Sequence, residues 1–218
     1  ELKNEGTVKG YSYVGGVIGC NASGKIIVDA INNGNISGLD SVGGILGYYY
    51  CDDDMLLENT NNSGTITGRT AVGGIVGMGG GVSMSGPPSA GIGCVSVSRA
   101  ENSGAVSGSG NSVGGIIGVG TSSKSIDNVL NTGTVQGRDQ VGGIIGNSVE
   151  GIVENALNLG QVIAADGNAQ YCGGIVGWGP GAIVSDKAVY ATTDKDGNTY
   201  DISKSVSYTH LTLPTNRE

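Results

Sequence analysis

A motif repeated six times along the chain limits the folds open to it more than any other feature of the sequence. Its first copy comprises Asn4–Gly10 (NEGTVKG) and Val14–Gly19 (VGGVIG), and the other five copies keep the same order of Asn, Gly and aliphatic residues. The first Gly of each Gly-Gly pair stands at position 15, 43, 73, 114, 142 or 173, so successive copies are 28, 30, 41, 28 and 31 residues apart. Periods of about 20–50 residues are typical of solenoids and other stacked repeat proteins.

A single copy of the motif is too small to fold by itself. Ordering each residue costs about 1–2 kcal/mol, which the few apolar side chains of one copy cannot offset. Stacked copies bury a shared core, and this is how solenoids become stable. The apolar residues are mainly Val and Ile, which favour strands, and Gly or Asn interrupts them too often for a long helix. We therefore predict an all-β, right-handed parallel β-solenoid (β-helix) of about six coils over residues 1–186.

One Asn and several Gly residues recur at fixed motif positions. We interpret the Asn as a hydrogen-bonded ladder with one amide per coil, spaced by about 4.8 Å; a polar ligand-binding face is the alternative. Each Gly inside a regular element costs about 0.5–1 kcal/mol relative to Ala, so fixed Gly indicates positive φ or close backbone approach, and stacked corners are expected to require both. The structural repeat positions are Asn4, Asn32, Asn62, Asn102, Asn131, Asn158, Gly16, Gly44, Gly74, Gly115, Gly143 and Gly174.

Four aliphatic columns accompany these positions, and three of them are predicted to face the core. Those three begin at Val8, Val14 and Ile18 and repeat in every copy, with Cys172 in the Val14 column of the sixth. The fourth column begins at Val17. Strict alternation places it outside, whereas a bulge at the Gly pair would turn it inward, and the sequence leaves both arrangements open.

Composition excludes several functional classes. The net charge of −8 argues against nucleic acid, which requires a basic surface. No apolar run approaches the roughly 18 residues of a membrane span, so no membrane insertion is expected in this segment. The only histidine is His210, so the chain lacks the paired histidines of a zinc peptidase, and a Ser or Cys nucleophile would depend on that one residue. We therefore assign no catalytic residue.

The four cysteines do not form a motif. Cys20, Cys51, Cys94 and Cys172 lack the Cys-x-x-Cys spacing of a metal site and share no motif position, so free thiols are expected. Cys172 replaces a Val of the core, and we predict that it is buried as a small apolar side chain.

Carboxylates and aromatic residues supply the candidate binding groups. Glu58, Asp127 and Glu154 share one column, four residues before the repeat Asn, where a bridging Ca²⁺ would relieve the repulsion of stacked charges. The alternative, which we favour, is that each of these side chains caps its own turn and faces water. The run Tyr48–Tyr50 and Trp178 are candidate sugar-stacking surfaces, with rim packing as the favoured alternative. No other cofactor is expected.

The motif core Gly16-Val17-Ile18-Gly19 and its five repeats, each preceded by Asn-x-Gly-x-Val-x-Gly or a close variant, resemble the GLUG-motif family. The resemblance covers residues 1–177. It implies a bacterial secreted or surface-attached β-solenoid, of the kind present in large adhesin-like proteins and in non-catalytic regions of immunoglobulin A peptidases. The chain departs from the pattern at Ala164, at Cys172 and in the insertion at residues 78–94.

The composition of the sequence changes near its end, and the repeat motif is no longer present. We expect a degenerate repeat or terminal hairpin over 187–205, where Val189–Thr193 and Thr199–Ile202 flank Asp196-Gly197. Residues 206–218 contain no Gly and no motif position, and they resemble translated adapter sequence, so we interpret them as a non-native tail. The chain is then a fragment of a longer protein.

These features predict a non-catalytic repeat segment of a secreted or cell-surface bacterial protein, serving as a stalk or an adhesive surface. Its partner would be a host or matrix protein or a glycan, and its location extracellular. The first alternative is an accessory region of an immunoglobulin A zinc metallopeptidase whose catalytic domain is absent from this chain. A polysaccharide-active β-helix is a weaker alternative, because it needs two positioned carboxylates that the sequence does not single out.

Overall fold

A computed structural model describes residues 1–22, 26–50, 53–80, 94–120, 125–164, 170–184 and 189–190. Within these ranges every regular element is a β-strand, and no helix is present that could cross a membrane. Four features of the sequence interpretation lie outside the described residues: Cys51, the central part of the insertion (81–93), the hairpin expected around Asp196, and the tail with His210.

Each copy of the motif forms four short strands. In chain order they are β1 (Leu2–Asn4), β2 (Val8–Lys9), β3 (Ser12–Gly15), β4 (Ile18–Asn21), β5 (Ile26–Asn32), β6 (Ile36–Ser37), β7 (Asp40–Gly43), β8 (Leu46–Tyr49), β9 (Met55–Asn62), β10 (Ile66–Gly68), β11 (Thr70–Gly73), β12 (Val76–Gly79), β13 (Val95–Asn102), β14 (Val106–Gly108), β15 (Asn111–Gly114), β16 (Ile117–Gly120), β17 (Ser125–Asn131), β18 (Val135–Gly137), β19 (Asp139–Gly142), β20 (Ile145–Ser148), β21 (Glu150–Asn158), β22 (Val162–Ala164), β23 (Cys172–Gly173), β24 (Val176–Trp178), β25 (Gly181–Val184) and β26 (Val189–Tyr190).

Every fourth strand pairs in parallel with its equivalent in the next coil, which produces four walls. Wall 1 runs β1-β5-β9-β13-β17-β21-β25, with β26 also on β21; wall 2 runs β2-β6-β10-β14-β18-β22. Wall 3 runs β3-β7-β11-β15-β19-β23, and wall 4 runs β4-β8-β12-β16-β20-β24. Equivalent motif residues are in register, as when Ile66 pairs with Ile36 on one side and with Val106 on the other. The prediction of an all-β parallel solenoid is confirmed.

The solenoid makes about five turns, slightly fewer than the six coils counted from the motif. Walls 2, 3 and 4 each contain six strands, one from each copy. Six stacked strands are separated by five steps, and each step corresponds to one turn of the chain. Counting motif copies therefore gives one turn too many.

The apolar side chains form two separate clusters inside the walls. The smaller lies between walls 2 and 3 and contains the Val8 and Val14 columns, with Ile36 and Val42 as typical members. The larger lies between walls 1 and 4 and includes Leu46 and Leu57. Burial of each such side chain contributes about 1.5–3 kcal/mol, so both clusters depend on the continuity of the stack.

The column that begins at Val17, which the sequence left open, faces the larger cluster. Ile45, Ile75, Ile116 and Ile144 are fully buried in it. These residues lie at a corner, between the end of one strand (Gly43 in β7) and the start of the next (Leu46 in β8). Strand alternation does not apply across such a corner, and two consecutive aliphatic side chains therefore both point inward.

The motif glycines make close backbone contacts rather than adopting positive φ. A methyl group on Gly43 would lie 2.1 Å from the carbonyl oxygen of Leu46, and one on Gly44 would lie 2.1 Å from that of Gly74. Among the described glycines, positive φ is found at Gly80 and Gly151, outside the motif positions. The expectation that the corners require positive-φ glycine is thus wrong. Left-handed backbone occurs instead inside the strands of walls 3 and 1, at ten other residues in two columns: Tyr13, Ser41, Ala71, Ser112 and Gln140, and Asp29, Asn59, Arg99, Asn128 and Asn155.

Candidate functional site

The six repeat asparagines form one continuous hydrogen-bonded ladder along wall 1. The side-chain nitrogen of each of the first five donates to the side-chain oxygen of the Asn one coil further on, at 2.6–2.8 Å. The same nitrogen donates to the carbonyl oxygen two residues later in its own coil, as Asn62 does to Gly64 at 2.9 Å. The ladder contains Asn4, Asn32, Asn62, Asn102, Asn131 and Asn158.

The Asn ladder lies against the column formed by the second Gly of each pair. A methyl group on Gly44 would come within 2.7 Å of the Asn62 amide carbon, and one on Gly74 within 2.5 Å of that of Asn102. The Asn side chains from the second to the fifth coil are fully buried. These amides are therefore bonded to one another and to the backbone, and a ligand has no access to them.

The candidate calcium residues share a column on the outer side of wall 1, but they are not all neighbours. Ser98 pairs with Glu58 on one side and with Asp127 on the other, and so separates the two carboxylates. Asp127 is adjacent to Glu154. The first coil of this series has Val28 at the same position.

Donors from the adjacent column bond to these carboxylates. Arg99 forms an ion pair with Glu58, and Asp127 accepts hydrogen bonds from Asn128 at 2.6 Å and from Asn155 at 2.7 Å. The backbone at Arg99, Asn128 and Asn155 is left-handed, which brings their side chains onto the outer surface beside the carboxylates. Within the described ranges no three His, Cys, Asp or Glu residues come together as a metal site would require.

Three tyrosines make ring contacts at the corner between walls 3 and 4, in the first two coils. The rings of Tyr13 and Tyr48 stack with centroids 4.7 Å apart and planes inclined by 20°. The rings of Tyr48 and Tyr50 are 6.2 Å apart and inclined by 21°. Tyr48 is 6% exposed, whereas Tyr13 is 40% and Tyr50 is 47% exposed. We call Tyr13, Tyr48 and Tyr50 the tyrosine cluster.

Tyr49, the other tyrosine in the run Tyr48–Tyr50, has a different role. Tyr49 is fully buried in the larger apolar cluster, and its hydroxyl group donates to the carbonyl oxygen of Asp53. The sequence interpretation missed Tyr13, although its position directly before Val14-Gly15-Gly16 is the motif position that Tyr171 holds in the last copy. That shared position was the available signal.

A second aromatic pair lies at the same corner in the sixth copy. The rings of Tyr171 and Trp178 are 6.2 Å apart and inclined by 56°. Trp178 pairs with Asn147 on wall 4, and Asn147 donates a hydrogen bond to Gln140 at 3.2 Å. The aromatic residues thus occur at the two ends of the corner, and non-aromatic residues fill it between them.

Two of the described cysteines are exposed thiols at the ends of the solenoid. Cys20 is in the first copy, and Cys172 is in the sixth and pairs with Val141 of the core. The prediction that Cys172 is buried is wrong, because its strand is at the end of wall 3 and no strand of the described residues pairs with its outer edge. Partial desolvation raises the pKa of both thiols, which makes them weaker nucleophiles than a fully solvated cysteine.

Comparison with known proteins identifies the fold. No protein-family model and no curated protein match the sequence. A crystal structure of a putative immunoglobulin A1 protease from Bacteroides ovatus matches over 95% of this chain and 63% of that chain, with a TM-score of 0.53 and 17% sequence identity. The chain thus spans less than two thirds of that protein's length, and at this identity the similarity extends to the fold alone. The resemblance to the GLUG-motif family stays a prediction.

Proposed function

We propose that this chain is a non-catalytic, right-handed β-solenoid segment of a secreted or cell-surface bacterial protein, and that it serves there as a stalk or an adhesive surface. The observation that carries the proposal is the continuity of the stack, in which each of four walls extends through every copy of the motif. The right-handed sense follows from the strong preference of crossover connections between parallel strands.

The division between constant and variable positions supports a stalk or adhesive role. The constant Asn and Gly residues are engaged in stacking, through the ladder and through close backbone contacts. The outward positions differ from coil to coil, as in the series Val28, Glu58, Ser98, Asp127 and Glu154. Five steps of about 4.8 Å give a rod about 24 Å long, whose side walls are the natural surfaces for contact with a partner.

Surface labelling tests this function. Antibodies raised against the folded segment are expected to label intact, unpermeabilised bacteria that carry the gene, and brief protease treatment of those cells should remove the signal. Labelling that appears only after permeabilisation would contradict a surface location. A cytoplasmic protein detected on the same cells provides the control for cell integrity.

The second candidate is an accessory region of an immunoglobulin A zinc metallopeptidase. It is favoured by the similarity to the Bacteroides ovatus structure, which covers 95% of this chain. The complete gene distinguishes the two candidates. A His-Glu-x-x-His sequence beyond Ser205, together with cleavage of immunoglobulin A1 by the complete protein but not by this chain, would favour the peptidase; further repeats or a sortase signal would favour the stalk.

A further inference from the structure

The aromatic character of the tyrosine cluster is not required by the solenoid. In the next coils the Tyr13 position is occupied by Ser41, Ala71 and Ser112, and these residues adopt the same left-handed backbone. On wall 4 the Tyr48 position is occupied by Met78 and then Val119. These coils stack in the same register with small or aliphatic side chains, so the fold alone does not account for three tyrosines in contact.

The cluster is a preformed surface rather than a set of loose side chains. Tyr48 is almost completely buried and stacks with both partners, so it fixes the positions of the two exposed rings. Burial also raises the pKa of the Tyr48 phenol, with smaller contributions from Tyr13, Cys20 and Tyr50. Rigid tyrosines with exposed rings are effective binding groups, because they offer a large apolar area and a hydroxyl group at little cost in conformational entropy.

From this geometry we infer that the tyrosine cluster is a binding site for a neutral glycan, with Tyr13 and Tyr50 as the contact residues and Tyr48 as their support. A pyranose ring has apolar C–H faces that pack on an aromatic ring and hydroxyl groups at its edges that bond to phenols. This inference rests on the proposed adhesive function, and it places the adhesive surface at the tyrosine cluster.

The charge around the cluster favours a neutral partner. Tyr50 is followed in the sequence by the acidic run Asp52–Asp54, and the chain as a whole has a net charge of −8. The hydroxyl group of the buried Tyr49 donates to the carbonyl oxygen of Asp53, so this acidic residue is held near the end of β8, which carries Tyr48. A polyanion such as an acidic polysaccharide would be repelled from this surface.

Calorimetric titration of the full chain with cellohexaose, xylohexaose and mannohexaose tests the site. At least one of these probes is expected to bind, and hexagalacturonate, the charged control, should bind more weakly. Tyr13→Ser introduces the residue found one coil later (Ser41), and Tyr50→Ala introduces the residue found one coil earlier (Ala22), so both variants suit the fold. Each should weaken binding about tenfold, equivalent to the loss of one stacked aromatic contact.

Tyr171→Ser is the matched control, since it removes an aromatic residue from the same motif position at the other end of the solenoid. It should leave binding unchanged, while circular dichroism verifies that all three variants are folded.

The proposal is overturned if none of the three neutral hexasaccharides binds, if hexagalacturonate binds more tightly than they do, or if Tyr171→Ser weakens binding as much as Tyr13→Ser. The proposal is also overturned if sedimentation equilibrium shows that the wild-type protein is a dimer and the Tyr13→Ser variant is a monomer. The cluster would then be a site of self-association. Surface labelling is unaffected by these outcomes, so the two proposals fail separately.

Discussion

The side-chain nitrogen of Asn62 donates a hydrogen bond to the side-chain oxygen of Asn102 at 2.7 Å, although 40 residues separate them in the chain, and both side chains are fully buried. The same bond joins each pair of neighbouring coils from Asn4 to Asn158. An isolated buried amide would be costly, but each interior Asn here has its neighbours as partners. The ladder therefore stabilises the stack only while every coil contributes its own amide.

Removal of one amide from the ladder should destabilise the whole segment. Asn102→Ala deletes a donor and an acceptor, leaving Asn62 without its acceptor and Asn131 without its donor. We expect the free energy of unfolding to fall by about 3 kcal/mol, as measured by urea denaturation. The control is Asn61→Ala, which removes a half-buried amide next to the ladder residue Asn62 on the neighbouring strand β9 and should change stability by less than about 0.5 kcal/mol. Similar losses for the two variants would contradict the ladder.

The glycines at one motif position allow the same Gly→Ala substitution to be compared with and without a preceding coil. A methyl group on Gly64 would lie 1.9 Å from the carbonyl oxygen of Gly34, whereas the nearest atom to one on Gly6 is 3.7 Å away. Gly64→Ala should therefore prevent folding or lower stability by more than about 4 kcal/mol, since backbone must move. Gly6→Ala should change stability by less than about 1 kcal/mol in thermal denaturation. Equal effects would show that these glycines are not required by stacking.

The left-handed column on wall 1 predicts a stabilising substitution. Arg99 has a φ of 51°, a conformation that Asn tolerates better, and Asn occupies the same position in the coils on either side. Arg99→Asn loses an exposed ion pair with Glu58, which contributes at most about 1 kcal/mol and less at high salt. We expect a higher melting temperature in 0.5 M salt, by about 2 °C. The reverse exchange, Asn128→Arg, should lower the melting temperature. If Arg99→Asn lowered the melting temperature and Asn128→Arg raised it, the preference of this left-handed position for Asn would be disproved.

The partners of the outer carboxylates predict that stability does not depend on calcium. Asp127 is bonded to two amides and Glu58 to a guanidinium group, so donors of the protein already compensate these charges. The melting temperature should be the same in excess EDTA and in excess CaCl₂. A rise of several degrees with calcium that Asp127→Asn abolishes would restore the metal site, because a ligand that binds only the folded state raises its stability.

The sequence was sufficient where a residue performs the same role in every coil. The Asn and Gly columns and three aliphatic columns are periodic, and periodicity specifies a stack without three-dimensional information. It could not decide the orientation of Ile45, because a corner interrupts the alternation of the strands. It was wrong for Cys172, because the burial of a core position depends on a following strand, and in the part of the chain that the structure describes none follows β23 on wall 3.

The candidate surfaces were harder to predict, since they depend on contacts between different columns. The ion pair of Glu58 with Arg99 joins residues in adjacent columns and adjacent coils, and it becomes visible only once the register is known. Tyr13 stacks on Tyr48 of the next coil in the same way. Residues that vary between coils have no periodic signal, and these are the residues that the outer surface offers to a partner.

Disulfide formation between equivalent residues of neighbouring coils directly tests whether these residues lie next to each other in the stack. Thr67 and Ser107 are paired on the outer side of wall 2, which places their Cα atoms about 4.8 Å apart, within the range of a disulfide. The double variant Thr67→Cys with Ser107→Cys should form this bond in nearly all molecules under mild oxidation, as shown by peptide mapping. Thr67→Cys with Ala105→Cys shifts the pairing by two residues, to about 7–8 Å, and should not form it efficiently. Equal yields for the two pairs, or a higher yield for the shifted pair, would show that equivalent residues of neighbouring coils do not stack.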